Sequence, residues 1–342
     1  WESRTSGDDS SWTLPRWQRR DELRWGDRHE RWEVRAFEDT SESSSLDWPM
    51  GAWTSQDARA ERAVSWPGAE AGAPDAWTSP GTSALWEQFL FSHEGVELQC
   101  HLRLPSKLTS RNHAVPLLFF LHSASGQPIG DLFPEGDAWF DDSVREPVVV
   151  LCPKCPEHFY WLIRGNSWTE EGGKWFIDSR GFAFWTGKAA HELDRALLAL
   201  LRQVVQTLPV DPCRIFLTGV SMGGYGCLDL AARHPDLFCA VAPVSAHTDK
   251  KLTAWAVRQL VRTPQWCFHG VGDLCCPFDD MADFVKRLEG APTALTVYHG
   301  GRQGNSVHNS ANLVSYVEYG PALLAWMLQQ SPNEGARAVI GW

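Results

Sequence analysis

Arg214-Ile-Phe-Leu-Thr-Gly-Val-Ser-Met-Gly-Gly224 is the stretch whose reading decides the fold. A short apolar run, Ile215 to Leu217, predicts a buried strand, and Tyr225 to Arg233 continues as a small-residue helix that Pro235 stops. Between them Gly219 and Gly223 stand two residues either side of Ser221. A strand that turns abruptly into a helix leaves little room for Cβ atoms at those two positions. It also lifts the Ser221 hydroxyl clear of the sheet and aims backbone N–H groups at the helix start toward developing negative charge. The pattern is that of a nucleophile elbow, the alternative being a plain strand-to-helix turn.

Working outward, strands alternate with helices. Leu85 to Phe91 and Val96 to Leu104 predict two antiparallel strands joined at Glu94-Gly95, and Val115 to His122 is a continuous apolar run of the kind found where both faces of a parallel strand are covered. Pro147 to Leu151 predicts another such strand. Helical spacing of apolar residues runs from Lys188 to Val205, ended by Pro209 and Asp211-Pro212. Beyond the elbow the order is strand Phe238–Val244, helix Leu252–Val261, strand Trp266–His269, helix Phe278–Leu288, strand Thr293–Tyr298 and a closing helix Leu313–Leu328. This alternation predicts an α/β fold with a doubly wound, mostly parallel sheet, helices on both faces and a ligand site at the carboxyl ends of the strands.

Residues 1–80 differ from the rest. They hold nine of the nineteen tryptophans and ten Arg but no Lys, with few aliphatic side chains and no helical or strand period. Rings dispersed among charges cannot build a core without aliphatic partners, so composition predicts a disordered extension, with a Trp-based interaction segment as the functional alternative. The folded domain is expected over residues 83–330 and a tail over 331–342. Within the domain, the stretch 158–187 carries nine aromatic rings among glycines and charges without a clear period, and predicts a cap loop. Tyr160, Trp161, Trp168 and Trp185 are the rings expected against a substrate.

A net charge of −11 without a basic patch argues against nucleic acid as a partner. No apolar run approaches the roughly 20 residues needed to span a bilayer, and residues 1–30 lack the apolar centre of a signal peptide. The nine cysteines sit largely in strand-like runs rather than in a disulfide framework, which together favours a reducing, cytoplasmic setting. Cys152-Pro-Lys-Cys155 has a metal-knuckle spacing, with Cys275-Cys276 as a conceivable second half. Without a second CxxC the expectation is no metal and no cofactor.

A serine hydroxyl needs a base within hydrogen-bond reach, itself oriented by a carboxylate. Asp273 follows the second strand after the elbow and His308 follows the last strand, so all three groups fall on loops at one sheet edge, in the order Ser, Asp, His. Asp279 and Asp280 compete for the acid but fall within the next helix. His299 competes for the base at the end of the last strand, and His269 reads as structural.

Several motifs together resemble one family: Asp211-Pro-Cys-Arg-Ile-Phe-Leu-Thr-Gly-Val-Ser-Met-Gly-Gly-Tyr-Gly226, Ala231-Ala-Arg-His-Pro235, Val241-Ala-Pro243, His269-Gly-Val-Gly-Asp273 with Pro277, and His308-Asn-Ser310. From about Gly95 to Gln330 the chain resembles α/β-hydrolases of the branch that holds feruloyl esterases, polyhydroxybutyrate depolymerase-like esterases and prolyl-oligopeptidase-like peptidases. The resemblance implies Ser221 as nucleophile, Asp273 as acid and His308 as base, an acyl-enzyme intermediate, a small-molecule ester substrate and no cofactor. The same machinery would serve a peptidase or amidase, and an inactive hydrolase fold used for binding is the reading from another class. Met222 N–H is expected in the oxyanion hole, with a second donor from Ser123 or Ala124. Two departures from the family pattern stand out: His122-Ser123 where His-Gly is usual, and the long stretch Gly300 to Ser306 before the histidine.

Overall fold

Apolar side chains on the central strands alternate between two separate cores. Along Val115–Leu121 (β3), Leu117, Phe119 and Leu121 enter one core, and Leu118 and Phe120 the other. The same alternation runs along Val149–Pro153 (β4) and Val210–Val220 (β7), as expected for strands covered on both faces. The computed structural model describes residues 86–105, 114–135, 138–140, 146–156, 159–161, 174–177, 183–186, 188–246 and 250–341, without the side chains of 174–190 and 250–253. The expected extension over residues 1–80 lies outside the described residues, as does most of the 158–187 stretch.

Eight strands form the main sheet in the order β1-β2-β4-β3-β7-β8-β9-β10. Trp86–His93 (β1) and Val96–Arg103 (β2) make the expected antiparallel hairpin, and β2 runs antiparallel to β4. From β4 onward all pairings are parallel, through β3, β7, Ala240–Val244 (β8), Gln265–Val271 (β9) and Thr293–His299 (β10). One core takes side chains from Lys188–Thr207 (α2), Met222–Arg233 (α3), Lys250–Leu260 (α4) and Phe278–Arg287 (α5). The other is closed by Pro128–Leu132 (α1) and Gly320–Leu328 (α6). This is the α/β-hydrolase arrangement, a doubly wound and mostly parallel sheet with helices on both faces.

Four differences from the sequence expectation have local causes. The strand leading to the elbow starts at Val210, not Ile215, because the ladder shifts register between Val115 and Leu117 and so takes in the Asp211-Pro212 pair. The aromatic stretch contains an antiparallel ribbon, Lys174–Ile177 (β5) with Ala183–Thr186 (β6), in which Trp175 registers with Trp185 and Phe176 with Phe184. The closing helix is broken: Leu313–Glu318 is a π-helical turn ending in a 3.0 Å bond from Tyr319 N–H to Val314 O, and α6 begins at Gly320. Pro321 has no N–H to continue an α-helical ladder but suits a first turn, so the chain must restart there. Finally, the expected tail docks. Ala336–Val339 (α7) buries Ala336, and Ile340 joins the core beside α2.

Candidate active site

Strand β7 feeds α3 through Ser221, whose φ of 57° and ψ of −115° put a non-glycine residue in a sparsely populated region. Such geometry costs about 1–3 kcal/mol and persists only where the surroundings impose it. They do so here through close packing of backbone on backbone. A Cβ on Gly223 would lie 1.8 Å from Leu121 O, and one on Gly219 would lie 2.5 Å from the same atom. The glycine spacing is therefore forced by the end of β3 lying against the elbow. Ser221 N–H donates to Val244 O at 2.9 Å, tying the apex to β8 as well.

Strands β9 and β10 end at the same edge and supply the other two groups. Asp273 follows β9, and His308 opens a 3₁₀ turn, His308–Ser310, beyond β10. His308 Nε2 lies 2.9 Å from Ser221 Oγ, and His308 Nδ1 lies 2.8 Å from Asp273 Oδ2. The other carboxylate oxygen, Oδ1, accepts the N–H groups of Cys275 and Cys276, both at 2.8 Å. Burial alone would push the Asp273 carboxyl up, but the His308 hydrogen bond and charge, with the two backbone donors, outweigh it and hold it below its ordinary value. The acid is thus a fixed anion against the imidazole.

His269 is fully buried beneath this acid, and its Nε2 donates to Cys276 O at 2.8 Å. Burial lowers its pKa, so it is a neutral brace for the acid turn, as the sequence suggested. Asp279 and Asp280 lie in the first turn of α5, and His299 ends β10. None of the three meets Ser221. Cys276 brings its ligand atom within 4.8 Å of those of Asp273 and His308, the one such grouping of three among the described residues, but Asp273 and His308 are already engaged with each other. The long stretch Gly300–Ser306 is a tied turn. Arg302 N–H donates to Ser310 Oγ at 2.6 Å, and its guanidinium reaches His299 O at 3.1 Å and Glu318 Oε1 at 2.5 Å. These bonds fix the segment that presents His308.

The opposing wall springs from His122. Its Nδ1–H donates to Ser123 O at 2.5 Å, and its Nε2 accepts Cys155 N–H at 2.8 Å. Burial drives its pKa down to about 4, so the ring is neutral with its proton on Nδ1. Ser123 needs no left-handed backbone, since its φ is not positive; Gly126, with φ +71°, makes the turn instead. Ser123 N–H donates to Asp131 Oδ2 at 2.8 Å. The glycine expected at 123 is thus dispensable, and the Ser123 donor is already spoken for. Met222, the first residue of α3, keeps its place beside Ser221 at the helix N-terminus.

Trp161 does not line a cleft. It is 2% exposed, its Nε1–H donates to His122 O at 2.9 Å, and its ring lies edge-on to the His122 ring. It supports the wall from beneath, and a Cβ on Gly226 would come within 2.4 Å of it. The expectation that Trp161 contacts substrate is corrected by this burial. Tyr160 is half-buried, edge-to-face with Tyr225 of α3. Trp168 and the Trp185 side chain lie outside the described residues. Sequence reasoning missed Asp131 and Arg302, whose partners are set by turns that carry no spacing signal.

A family profile described as "Putative esterase" matches residues 94–300, well over half of the chain. The chain belongs to the Esterase family. Ser221 and Asp273 fall within that match, and His308 lies just beyond it. Among curated proteins the chain is 25% identical to the S-formylglutathione hydrolases of Bos taurus, over 174 residues, and of Mus musculus, over 172 residues. Each alignment covers 49% of this chain and 60% of the relative, so the chain spans less than two thirds of the length of either. Among solved structures a thermostable esterase aligns with a TM-score of 0.57 at 24% identity, covering 72% of this chain and 63% of that one. A fluorophosphonate-binding serine hydrolase of Staphylococcus aureus, FphF, aligns at 0.51 with 15% identity, covering 72% and 99%. These likenesses establish the fold. No helix among the described residues is long and apolar enough to cross a membrane.

Proposed function

We propose that this Esterase-family chain is a serine hydrolase that cleaves a carboxylic ester through an acyl-enzyme intermediate. The observation that carries the reading is the hydrogen-bonded chain from Ser221 Oγ to His308 Nε2, at 2.9 Å, and from His308 Nδ1 to Asp273 Oδ2, at 2.8 Å. As Ser221 Oγ attacks the ester carbonyl, His308 Nε2 takes its proton. The anionic Asp273 orients the imidazole and stabilises its cation. Met222 N–H at the start of α3 and a second donor from the 123–125 turn meet the developing oxyanion. Collapse of the tetrahedral adduct breaks the bond to the leaving alcohol, which His308 protonates. Water, deprotonated by the same nitrogen, then releases the acid and restores Ser221.

The curated relatives are named as hydrolases of S-formylglutathione, a thioester that the same three groups could attack, so a thioester belongs beside oxygen esters in the substrate test. Aromatic or medium-length acyl groups are the expected preference, since Tyr160 stands near the elbow helix within the ring-rich stretch 158–187. The test is turnover of p-nitrophenyl acetate, p-nitrophenyl butyrate and S-formylglutathione by the purified protein, with fluorophosphonate labelling read out by peptide mass. Turnover of at least one substrate and a label on Ser221 support the reading. A protein inert to all three and unlabelled would sink it.

A further inference from the structure

The turn after β3 is held by a carboxylate that the triad chemistry does not use. Asp131, on α1 and 9% exposed, accepts Ser123 N–H at 2.8 Å through Oδ2, and Ser125 Oγ donates to both of its oxygens at 3.1 Å. Ser123 Oγ in turn donates to Ser125 Oγ at 2.9 Å, while Ser125 N–H donates back to Ser123 Oγ at 3.1 Å and Gln127 N–H to Ser125 Oγ at 3.3 Å. Two hydroxyls and three backbone N–H groups from residues 123–127 are thereby organised around one buried carboxyl group. Nothing in the hydrolytic cycle requires a charge there, and burying a carboxylate is costly unless its hydrogen bonds hold something in place.

What it holds follows from peptide geometry. The peptides here are trans, so a residue's C=O and the next residue's N–H point in opposite directions. Ser123 O faces the His122 ring and also accepts Gly126 N–H at 3.3 Å. Ala124 N–H therefore points away from that ring. Among the described residues no acceptor takes it, and Ala124 is exposed. Ser123 N–H, by contrast, is occupied by Asp131. The whole turn leaves directly from Leu121 and His122, the two residues whose carbonyls press on Gly223 of the elbow.

We propose that Asp131 is a positioning residue for the oxyanion hole: it withdraws Ser123 N–H and clamps the Ser123–Ser125 turn so that Ala124 N–H, with Met222 N–H, receives the oxyanion. A serine at 123 then replaces a glycine without loss, because its side chain joins the clamp that does the aligning. The inference rests on the hydrolase reading above and concerns the electrophilic wall alone.

The experiment compares wild type with Asp131→Ala, Asp131→Asn and Ser125→Ala, using p-nitrophenyl acetate kinetics, affinity for an aryl trifluoromethyl ketone, whose hemiketal bears the oxyanion, and melting temperature. Loss of a well-placed oxyanion donor lowers kcat by about 100-fold, so Asp131→Ala is expected to lose about 10- to 100-fold in kcat with KM changed by less than about 3-fold, and to bind the ketone weaker by the same factor as kcat. Asp131→Asn keeps one acceptor oxygen for Ser123 N–H and should recover most of that loss, with Ser125→Ala in between. If Asp131→Ala cannot be purified folded, the Asn and Ser125 variants carry the same correlation between kcat and ketone affinity. Unchanged kcat in the folded variants would overturn the proposal, as would a kcat loss with ketone affinity intact. A wild-type protein inert to esters and to fluorophosphonate would fail the hydrolase reading and take this one with it, whereas an active wild type with indifferent variants fails this one alone.

Discussion

Ser221 Oγ and His308 Nε2 stand 2.9 Å apart although 87 residues separate them in the chain. Both belong to segments that leave the sheet at one edge, and the distance is set by strand order rather than by local sequence. Replacing Ser221 by Ala is expected to abolish turnover, by on the order of a million-fold in kcat where a triad serine acts. Ser221→Gly should be equally inactive yet more stable than Ser221→Ala by about 1 kcal/mol, because glycine accepts a φ of 57° without strain. Kinetics on p-nitrophenyl acetate and paired thermal melts check both; equal stability of the two variants would mean that the elbow is unstrained.

Asp273→Asn keeps the shape of the acid but places an amide against His308 Nδ1, which then has no anion to favour its N–H. The imidazole loses its orientation and its charged form is no longer stabilised. A fall in kcat of roughly 10,000-fold with little change in KM is expected, as for a triad whose histidine is left in the wrong tautomer. A loss below tenfold would point to a different acid.

Gly223→Ala tests the close packing behind the elbow. A methyl group would lie 1.8 Å from Leu121 O, and neither backbone can withdraw without shifting a strand. Destabilisation of about 3 kcal/mol or more is expected, above that of ordinary overpacking. A variant that melts within a degree or two of wild type would contradict the tight approach.

His122 should make the fold acid-sensitive. Its pKa is lowered to about 4 by burial, with Lys154 and His101 adding to the effect, against about 6.5 in an unfolded chain. At pH 7 both states are neutral at this site and no stability is lost. Between about pH 6.5 and 4 the unfolded chain takes up a proton that the folded one refuses, so stability falls by up to about 1.4 kcal/mol per pH unit. His101, also lowered by burial, acts in the same direction, so the diagnostic is the difference from His122→Asn, whose melting temperature should fall less steeply over that window. Parallel slopes in the two proteins would remove His122 from the account.

The core of the fold was readable because parallel strands buried on both faces leave continuous apolar runs, and because the elbow glycines answer a local steric demand. Val115 to Leu121 and Ile215 to Val220 show this. The position of Asp273 could be read from strand order, since it closely follows the end of β9 at Val271, whereas His308 stands beyond the Gly300–Ser306 turn that follows the end of β10 at His299. Features that depend on which surfaces meet were not readable. Trp161 in a ring-rich stretch looks like any other exposed aromatic until His122 O is found against its indole N–H. Asp131 carries no periodic signal, and its partners lie across a turn. The break at Tyr319 was within reach, because Pro321 cannot extend the preceding ladder, but the apolar spacing on both sides concealed it.

Residues 333–340 lie against the back of the elbow strand and tie it to its neighbours. Asn333 N–H donates to Cys213 O at 2.8 Å and its side-chain amide reaches Phe238 O at 3.3 Å, while Arg202 donates to Ile340 O at 2.7 Å. A chain shortened to end just before Asn333 still holds Ser221, Asp273, His308 and every strand of the main sheet, yet the carbonyl of Cys213, on the elbow strand, loses this partner. Such a shortened chain should be cut readily by protease where one that extends through Ile340 resists.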